Sequence, residues 1–394
     1  MYHIYLFNDL LGSAAQYGIG TYVRELKSIY RSNPCCKFTI ITLNANVSNI
    51  VKQFDNEIEY VEYPKMSYWG VDVNDKYCRS VAYNLALDIN EKELNIFHFN
   101  YMHHYSLAMY LKELYSQSYI ILVLHFLKTK ILEISNAFST SNSEKKDCKN
   151  QEQSFLMLAD RIVTLCRDTK IYIQQSYAIN PEKIEVVYNF MKDRNNNNLY
   201  DNREFLRSKY GFHINDKILL YIGRIDSAKG IIDFKKVFKD LGVDEEIKLL
   251  VVGGGKYDKL LSVYAECNSR IILMGEVHDV SMIDELCCIS DIGILPSYIE
   301  QCSYSAIEMM MHGLPIVGLH SFGLREMFDL HPVSLLCVET EMFKYSHAVM
   351  TSLIINLLSN SENIKIEGEK CRFKYEKYYS PLNRNVWREL YSFN

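Results

Sequence analysis

Residues 217–230 read Lys-Ile-Leu-Leu-Tyr-Ile-Gly-Arg-Ile-Asp-Ser-Ala-Lys-Gly, an apolar run that ends in a turn with two cations. A continuous run of large apolar residues is typical of a parallel strand that is buried on both faces. In open α/β sheets ligands bind outside the carboxyl ends of the strands, where helix N-termini also favour anions. Arg224 and Lys229 therefore suit a diphosphate, and a solvated basic turn is the alternative interpretation.

The same pattern recurs along the whole chain. Short apolar runs bounded by polar turns alternate with longer segments of helical period, seven runs before residue 190 and five after it. This alternation predicts β-α units that build parallel sheets. A length of 394 residues at roughly 150 residues per domain favours two domains. We therefore predict an α/β protein with two sheets.

Polar stretches suggest where the domains begin and end. Residues 192–204 are Asn-rich and lack an apolar period, so they are predicted to link a domain at 1–191 to one at 205–372. A long surface loop within one domain is the alternative. Residues 373–394 are predicted to contain a closing amphipathic helix, with Trp387, Leu390 and Tyr391 at helical spacing. Residues 139–154 are interpreted as a mobile excursion of the first domain.

Composition excludes several classes of protein. The 43 basic and 48 acidic residues give a net charge of −5, without the basic excess that nucleic-acid binding needs. The most apolar run, 120–127, is far shorter than the roughly 20 residues that span a bilayer, which leaves only peripheral membrane contact. Eleven cysteines without a C-x-x-C pair argue against a disulfide framework or a zinc site. Unpaired thiols and an N-terminus without a basic region favour a cytoplasmic location.

Two further elements could contact a ligand. A second apolar strand runs into Gly253, Gly254 and Gly255, where the backbone can approach a ligand closely. Glu300 follows a third strand and Glu308 lies eight residues further on, in the next predicted helix. Carboxylates bind sugar hydroxyls well because each accepts several hydrogen bonds. The alternative for the two glutamates is ordinary charge near a helix N-terminus.

These three elements, in this order, resemble the family 4 retaining glycosyltransferases of GT-B fold, also called glycosyl transferases group 1, over nearly the whole chain. Gly223-Arg-Ile-Asp-Ser-Ala-Lys-Gly230 matches the family motif G-R-x4-K-G, and Glu300 with Glu308 matches its E-x7-E pair. The resemblance implies two Rossmann-like domains facing a central cleft, with the C-terminal helix crossing back to the first domain. It also implies that Arg224 and Lys229 bind the donor diphosphate.

By the same resemblance Glu300 contacts the donor sugar, Glu308 contacts the ribose, and Gly223, Gly253 and Gly254 line the donor site. Ser303 stands where the family has a glycine. It is predicted to cap the following helix with its hydroxyl while its N–H faces the donor. This departure bears on which donor sugar is bound.

The first half resembles the family at fewer positions. Gly18 and Gly20 lie where the family has a glycine loop at the donor phosphate. His125 ends a strand where the family usually has a catalytic-site histidine near the donor sugar. A dinucleotide fingerprint is improbable at Gly18, because Val23 replaces its third glycine and about nine residues separate it from the preceding strand.

The sequence does not indicate a metal site. His98, His103 and His104 precede His125, but neither an H-x-x-x-H helix nor a carboxylate partner accompanies them, so they are interpreted as core or acceptor-side histidines. The chain contains no D-x-D motif. We therefore expect a metal-independent site without a cofactor, with a nucleotide sugar as co-substrate.

The resemblance predicts an EC 2.4 transferase that moves a sugar from a nucleotide-sugar donor to an acceptor hydroxyl, with the anomeric configuration retained. Polysaccharide, lipid-linked glycan and peptide are the acceptor classes considered. Acceptor contacts are expected at 68–79 and 100–106, where aromatic and histidine residues cluster. The alternatives are a GT-B nucleotide-sugar epimerase and a catalytically inactive binding partner.

Overall fold

The computed structural model describes residues 2–10, 18–30, 36–55, 57–66, 70–134, 142–195, 197–242, 245–341 and 343–392. The chain folds into two compact domains. The first domain comprises 1–188 together with 384–394, and the second comprises 189–383. Each contains one mainly parallel sheet whose strands alternate with helices.

The first domain is built on a sheet of eight strands in the order β3-β4-β2-β1-β5-β6-β7-β8. Among the described pairings β3 alone runs antiparallel to its neighbour. The strands are β1 (Tyr2–Asp9), β2 (Cys36–Ala45), β3 (Val51–Asp55), β4 (Ile58–Pro64), β5 (Leu94–Phe99), β6 (Tyr119–Leu124), β7 (Arg161–Thr164) and β8 (Ile184–Val186). The helices are α1 (Gly18–Tyr30), α2 (Val71–Leu85), α3 (Tyr105–Leu114), α4 (Lys128–Ile134), α5 (Asn142–Leu158), α6 (Arg167–Ser176) and the C-terminal α16 (Arg384–Glu389).

Strand β1 lies at the centre of this sheet. Its residues Ile4, Leu6 and Phe7 are fully buried, as expected for a parallel strand covered on both faces. The strand pairs with β2 on one side and with β5 on the other. The chain thus changes direction across the sheet at β1, and the carboxyl end of this strand is where a ligand crevice forms in such sheets.

The second domain is built on a sheet of seven strands in the order β11-β10-β9-β12-β13-β14-β15. The strands are β9 (Lys217–Ile222), β10 (Ile247–Val252), β11 (Ile271–Gly275), β12 (Ile292–Leu295), β13 (Ile316–His320), β14 (Cys337–Glu341) and β15 (Lys344–Tyr345). The helices are α7 (Asn197–Asp201), α8 (Arg203–Lys209), α9 (Ile231–Asp240), α10 (Asp258–Glu266), α11 (Val280–Ile289), α12 (Tyr304–Met311), α13 (Leu324–Asp329), α14 (His347–Leu358) and α15 (Ser361–Lys374).

The apolar run at 217–222 forms β9, and four of its six residues are buried. Two of them, Leu219 and Tyr221, join residues of β10, β12 and α9 in one core cluster of the second domain. Strand β9 pairs with β10 on one side and with β12 on the other. The strand order reverses between β9 and β12, so the segments after these two strands border the topological switch point.

Two polar segments are more ordered than their composition indicates. The described part of 139–154, interpreted from the sequence as a mobile excursion, is helical, because α5 covers 142–158, and its Glu152 is buried. In the predicted linker, α7 covers 197–201 and α8 begins at 203. Arg207 of α8 is almost fully buried and donates to the carbonyl of Ile289 at the end of α11. Hydrogen bonds from Arg203 and Arg207 to backbone carbonyls, together with the buried Leu206, hold this polar helix on the domain.

The C-terminal segment is divided between the domains. Helix α15 ends at Lys374 in the second domain, and α16 belongs to the first domain. Trp387, Leu390 and Tyr391 are buried there, as their helical spacing predicts. The Trp387 indole Nε1 donates to the carbonyl of Tyr188 at 3.1 Å.

Candidate active site

The turn after β9 carries both predicted diphosphate-binding cations. Asp226 organises this turn, because its carboxylate accepts from the backbone N–H of Lys229 at 3.0 Å and lies 3.2 Å from Nη2 of Arg224. The buried Tyr221 hydroxyl donates to the carbonyl of Arg224 at 2.6 Å. Arg224 and Lys229 are therefore held beside the switch point, with the Arg224 side chain 39% exposed.

Glycines bring three turn backbones together at this edge of the sheet. Gly230 has φ 67°, and a Cβ atom there would lie 2.0 Å from the carbonyl oxygen of Pro296, directly after β12. Gly253 has φ 132°, and a Cβ atom there would lie 2.0 Å from the carbonyl oxygen of Gly223. A Cβ atom on Gly254 would approach the Glu276 side chain to 2.9 Å. Backbone packing already requires glycine at 230 and 253, and donor binding by Gly223, Gly253 and Gly254 stays a prediction.

The structure joins the first glutamate to one of the cations. The Glu300 carboxylate accepts a hydrogen bond from the Lys229 ammonium, and these side chains are only 11% and 20% exposed. The backbone N–H of Glu300 donates to the carbonyl of Phe322 at 3.1 Å. Gly323 has φ 77°, and a Cβ atom there would lie 1.9 Å from the carbonyl oxygen of Glu300. Residues of two predicted motifs thus form one ion pair.

Ser303 occupies the N-cap position of α12, as the sequence predicts. Its backbone is extended, and its hydroxyl accepts from the N–H of Ala306 at 3.4 Å. This bond satisfies one of the donors that a helix N-terminus leaves unpaired. The remaining N–H groups of the first turn lie at the carboxyl end of β12, where a helix favours an anion.

Glu308 takes part in a charged network that the sequence does not reveal. Its Oε1 lies 3.5 Å from Nη2 of Arg194, and Nε of Arg194 donates to both oxygens of Asp284 at 3.2 and 3.1 Å. His312, just past the end of α12, contacts Asp284 through Nε2 at 2.9 Å. These four groups are here called the Arg194 network, and Arg194 and Asp284 lie far in the sequence from each other and from Glu308 and His312. Neither periodicity nor a motif connects them, so only the fold identifies the set.

His125 follows β6 in the first domain. Its Nε2 lies 3.1 Å from Oδ1 of Asn100, whose amide nitrogen donates to the carbonyl of Phe7 at 3.2 Å. Because Asn100 is oriented by that second bond, His125 carries its proton on Nε2 and presents a lone pair on Nδ1. Burial, with a smaller contribution from His98, lowers the pKa of His125 to about 3. The ring is therefore neutral at physiological pH.

His98 extends this arrangement to the C-terminal helix. Its Nε2 lies 2.9 Å from the Tyr22 hydroxyl, and its Nδ1 lies 2.5 Å from the Tyr391 hydroxyl. The Tyr22 ring also meets His125 edge-on, at 4.7 Å between centroids. His98 is fully buried, which agrees with the prediction of a core histidine.

Gly18 and Gly20 lie in the first turn of α1. A Cβ atom on Gly18 would meet no atom of the described residues within 4 Å, so packing against them does not require glycine at this position. The residues before it, 11–17, lie outside the described part of the chain. Phosphate contact by Gly18 and Gly20 stays a prediction.

His103 and His104 do have a carboxylate partner, which corrects the sequence interpretation. The Nε2 atoms of both rings lie 2.9 Å from Oδ2 of the buried Asp9, 94 and 95 residues away. Although burial opposes ionisation, the hydrogen bonds from His103 and His104 keep the pKa of Asp9 well below its ordinary value. Sequence distance concealed this partner, because Asp9 ends β1 and the histidines follow the neighbouring β5.

The ligand atoms of Asp9, His103 and His104 lie within 4.8 Å of one another, a grouping that can hold a metal ion. However, the buried Nδ1 of His104 lacks a hydrogen-bond partner among the described residues, whereas imidazoles that bind metals almost always donate their second nitrogen. Asn44 also donates to both Asp9 oxygens at 3.1 Å. The grouping is explained as a buried carboxylate with three N–H donors.

Part of the predicted acceptor region falls within the described residues. Residues 67–69 lie outside the described chain, and α2 begins at Val71. His104 packs beneath Tyr101, with ring centroids 5.2 Å apart, and Tyr101 donates to Asn8 at 3.1 Å. The two predicted stretches follow β4 and β5, which β2 and β1 separate in the sheet, and the Asn74 side chain of α2 donates to the carbonyl of His103 at 3.3 Å.

Part of this chain matches a known protein family. Residues 202–365 match the family described as Glycosyl transferases group 1. N-acetyl-alpha-D-glucosaminyl L-malate synthase of Bacillus anthracis is 24% identical over 343 residues, which is 84% of this chain and 84% of the relative.

Solved structures match over the full length. Sucrose-phosphate synthase from Thermosynechococcus elongatus has a TM-score of 0.78 at 15% identity and covers 99% of both chains. HepE of Anabaena, in complex with UDP-glucose, has a TM-score of 0.71 at 14% identity and covers 100% of both chains. These likenesses confirm the fold class predicted from the sequence. Within the described ranges, helices long and apolar enough to cross a membrane are absent.

Proposed function

We propose that this group 1 glycosyltransferase of GT-B fold, an enzyme of EC 2.4 type, uses a nucleotide-diphosphate sugar as its donor. The sugar is transferred to an acceptor hydroxyl with retention of configuration, as in family 4. The observation that carries the donor assignment is the grouping of Arg224, Lys229 and Glu300 beside the switch point of the second sheet. The Anabaena structure with UDP-glucose makes a UDP-sugar the first donor to test.

The two cations would act on the charge that develops as the donor bond breaks. Cleavage of the bond between the anomeric carbon and the phosphate oxygen leaves positive charge on the sugar and an electron pair on the diphosphate. Fixed cations stabilise that transition state without reorganisation, and the loss of one such group costs about 3–4 kcal/mol. Arg224 and Lys229 are positioned by Asp226 and Glu300 before any donor arrives.

When the donor binds, Lys229 and Glu300 would each contact a different part of it. The ammonium of Lys229 gains phosphate oxygens as partners, and the Glu300 carboxylate accepts from sugar hydroxyls. Both side chains are largely buried, so their electrostatic interactions are stronger than in bulk water. The acceptor oxygen bonds to the anomeric carbon, its proton passes to the departing phosphate, and the nucleoside diphosphate leaves.

His125 would orient the donor sugar as a neutral group. Its Nδ1 lone pair accepts a hydrogen bond from a sugar hydroxyl, while its Nε2–H stays on Asn100. A neutral ring stabilises the developing oxocarbenium charge better than an imidazolium would, because a second positive charge is avoided. The depressed pKa of His125 keeps the ring neutral throughout the physiological range.

The remaining donor contacts follow from α12 and α1. Glu308 would hold the ribose hydroxyls, and the N–H groups that follow the Ser303 cap would face the donor. Gly18 and Gly20 would let the first turn of α1 approach the phosphate. With Arg224 and Lys229 supplying the positive charge, we propose that neither a metal ion nor another cofactor is needed.

The acceptor and the location of the enzyme are also proposals. A glycan, a lipid-linked glycan or a peptide would offer the hydroxyl. The ten described cysteines are free thiols, which supports a reducing, cytoplasmic location with peripheral membrane contact for a lipid-linked acceptor.

Product analysis tests this function. The chain is incubated with UDP-, GDP- and ADP-sugars in the presence of EDTA, and nucleoside diphosphate release is measured with and without candidate glycan acceptors. Proton NMR of the product gives the anomeric configuration. We expect the wild type to release nucleoside diphosphate and Lys229→Ala to lose this activity. The control Lys236→Ala, on the exposed side of α9, should release it like the wild type. An isomerised donor sugar without transfer would identify an epimerase, and inactivity with every donor would favour a binding partner.

A further inference from the structure

A cavity of about 540 Å³ lies in the first domain between the end of β4 and helix α2. Tyr63, Lys65 and Met66 line it from the strand side, and Lys76 and Tyr77 line it from the helix. Its volume lies within the range of small-molecule sites and can accommodate a sugar ring with a substituent.

The polar groups of this cavity favour an anion. Its charged lining residues are Lys65 and Lys76, and the described lining contains no aspartate or glutamate. Tyr63, Ser80 and Asn84 add hydroxyl and amide groups that can bind sugar hydroxyls. Two ammonium groups beside uncharged hydrogen-bonding groups suit a sugar that carries a carboxylate or a phosphate.

Asn44 connects the wall of the cavity to Asp9, which His103 and His104 also contact. Asn44 has φ 54°, a left-handed conformation that asparagine adopts more readily than other non-glycine residues. Its side-chain oxygen accepts from the N–H of Met66 at 3.2 Å, and its own N–H donates to the Tyr77 hydroxyl at 3.0 Å. Its amide nitrogen donates to Asp9. The hydrogen bonds of Asn44 thus fix the positions of Met66 and Tyr77 in the cavity wall.

The sheet order gives the separation between this cavity and His125. From β4 to β6 the order is β4-β2-β1-β5-β6, which is four strand spacings of about 4.8 Å, or roughly 19 Å along the carboxyl edge. Asp9 and His103 lie about midway, at the ends of β1 and β5. A ligand that reaches from the cavity to His125 is therefore longer than one monosaccharide.

We propose that this cavity binds an anion-bearing sugar of the acceptor, and that the reacting hydroxyl lies on a different sugar further along the same edge. The inference rests on the proposed glycosyl transfer and specifies its acceptor as an acidic glycan, free or lipid-linked. Lys65 and Lys76 would contact the carboxylate or phosphate, and Asp9 with His103 would border the connecting sugar.

Binding of small probes to the full chain tests this proposal. D-glucuronate, D-glucose 6-phosphate and neutral D-glucose are titrated by ligand-detected NMR against wild type and Lys65→Gln/Lys76→Gln. The control Lys92→Gln/Lys146→Gln removes the same charge from exposed sites in the same domain. Ser80→Trp, at an exposed position on the cavity wall, fills the space without a change in charge.

We expect at least one anionic probe to bind the wild type and the control alike, with glucose at least tenfold weaker. The Lys65/Lys76 variant should weaken anion binding at least tenfold, and Ser80→Trp should abolish it. Preference between glucuronate and glucose 6-phosphate would distinguish a carboxylate from a phosphate. Equal binding of glucose, unchanged binding in the Lys65/Lys76 variant, or no binding of any probe to the wild type would overturn the proposal.

Nucleoside diphosphate binding is measured on the same proteins. If UDP, GDP and ADP all fail to bind the wild type, the proposed function fails. If a nucleotide binds normally while the sugar anions do not, only the acceptor inference fails.

Discussion

Arg194→Ala removes the central cation of the Arg194 network and tests whether this network fixes Glu308. Arg194 makes three contacts of 3.1–3.2 Å with Asp284 and one of 3.5 Å with Glu308. The Asp284 and Glu308 side chains are only 9% and 15% exposed, so their charges would be left with little hydration. Breaking a fully buried pair costs about 3–5 kcal/mol and an exposed one less than about 1 kcal/mol.

For this partly buried network we expect a cost between those of a buried and an exposed ion pair, because His312 still contacts Asp284 at 2.9 Å. The free energy of unfolding should fall by about 2 kcal/mol, which for a domain of this size is a decrease in Tm of about 4–8 °C. Without its cation, Glu308 loses a fixed orientation. The affinity for the nucleoside diphosphate should fall about tenfold, while inorganic pyrophosphate, which needs only Arg224 and Lys229, should bind as before.

Isothermal titration with the nucleoside diphosphate and with pyrophosphate separates these effects. Arg203→Ala is the matched control, because Arg203 pairs with Asp291 at 2.7 Å in the same domain and lies outside the proposed donor contacts. Arg194→Lys, which keeps the charge without the planar fork, should recover part of the nucleotide affinity. If Arg194→Ala lowers Tm but binds the nucleotide like the wild type, the network stabilises the domain without orienting Glu308, and the reasoning is refuted.

Three further changes have calculable outcomes. Burial lowers the pKa values of His98 and His104 to about 3 and 4, so the unfolded chain binds more protons than the folded chain below pH 6.5. Acidification from pH 7 to 5 should therefore lower the free energy of unfolding by about 1–2 kcal/mol for each histidine. Both tryptophans belong to the first domain, so their fluorescence in urea titrations should report this loss, and equal stability at the two pH values would contradict it. Ser303→Ala removes the α12 cap and should cost about 1 kcal/mol, whereas Ser303→Gly should cost a few tenths; equal denaturation midpoints for the two variants would argue against the cap. Gly230→Ala places a Cβ atom 2.0 Å from a carbonyl oxygen at φ 67°, and it should lower the free energy of unfolding by about 3 kcal/mol or more. Gly18→Ala meets no described atom within 4 Å and should change Tm little. Similar thermal scans for the two variants would show that the turn can relax.

The sequence predicts the buried strands better than the edge strands. The twelve predicted strands all occur, because buried parallel strands are marked by continuous apolar runs. Apolar runs mark the edge strands β8 and β11, but not β3 at the edge of the first sheet or β14 and β15, the last two strands on one side of the second sheet. Four of the five residues of β3 are exposed, so no apolar run marks it. Edge strands are specified by their neighbours, which a local pattern does not contain.

Motifs predict the local parts of the site, and the fold supplies the partners. The cap by Ser303 follows from its place before a helix, and the structure confirms it. The Lys229–Glu300 pair, the contacts of Arg194 with Asp284 and Glu308, and the Asp9 contact with His103 join residues 71 to 114 positions apart. Such contacts depend on which strands are neighbours in the sheet, so residue spacing alone does not indicate them.

Nucleotide binding to Lys229→Ala tests the central claim most directly. UDP, GDP and ADP are titrated calorimetrically into the wild type, Lys229→Ala and the control Lys236→Ala. One of the nucleotides should bind the wild type and the control equally and bind Lys229→Ala about ten- to a hundredfold more weakly, since a hydrogen bond to a charged group contributes about 1.5–3 kcal/mol. Equal affinity of Lys229→Ala and the wild type for that nucleotide would show that the cations after β9 do not hold the donor diphosphate.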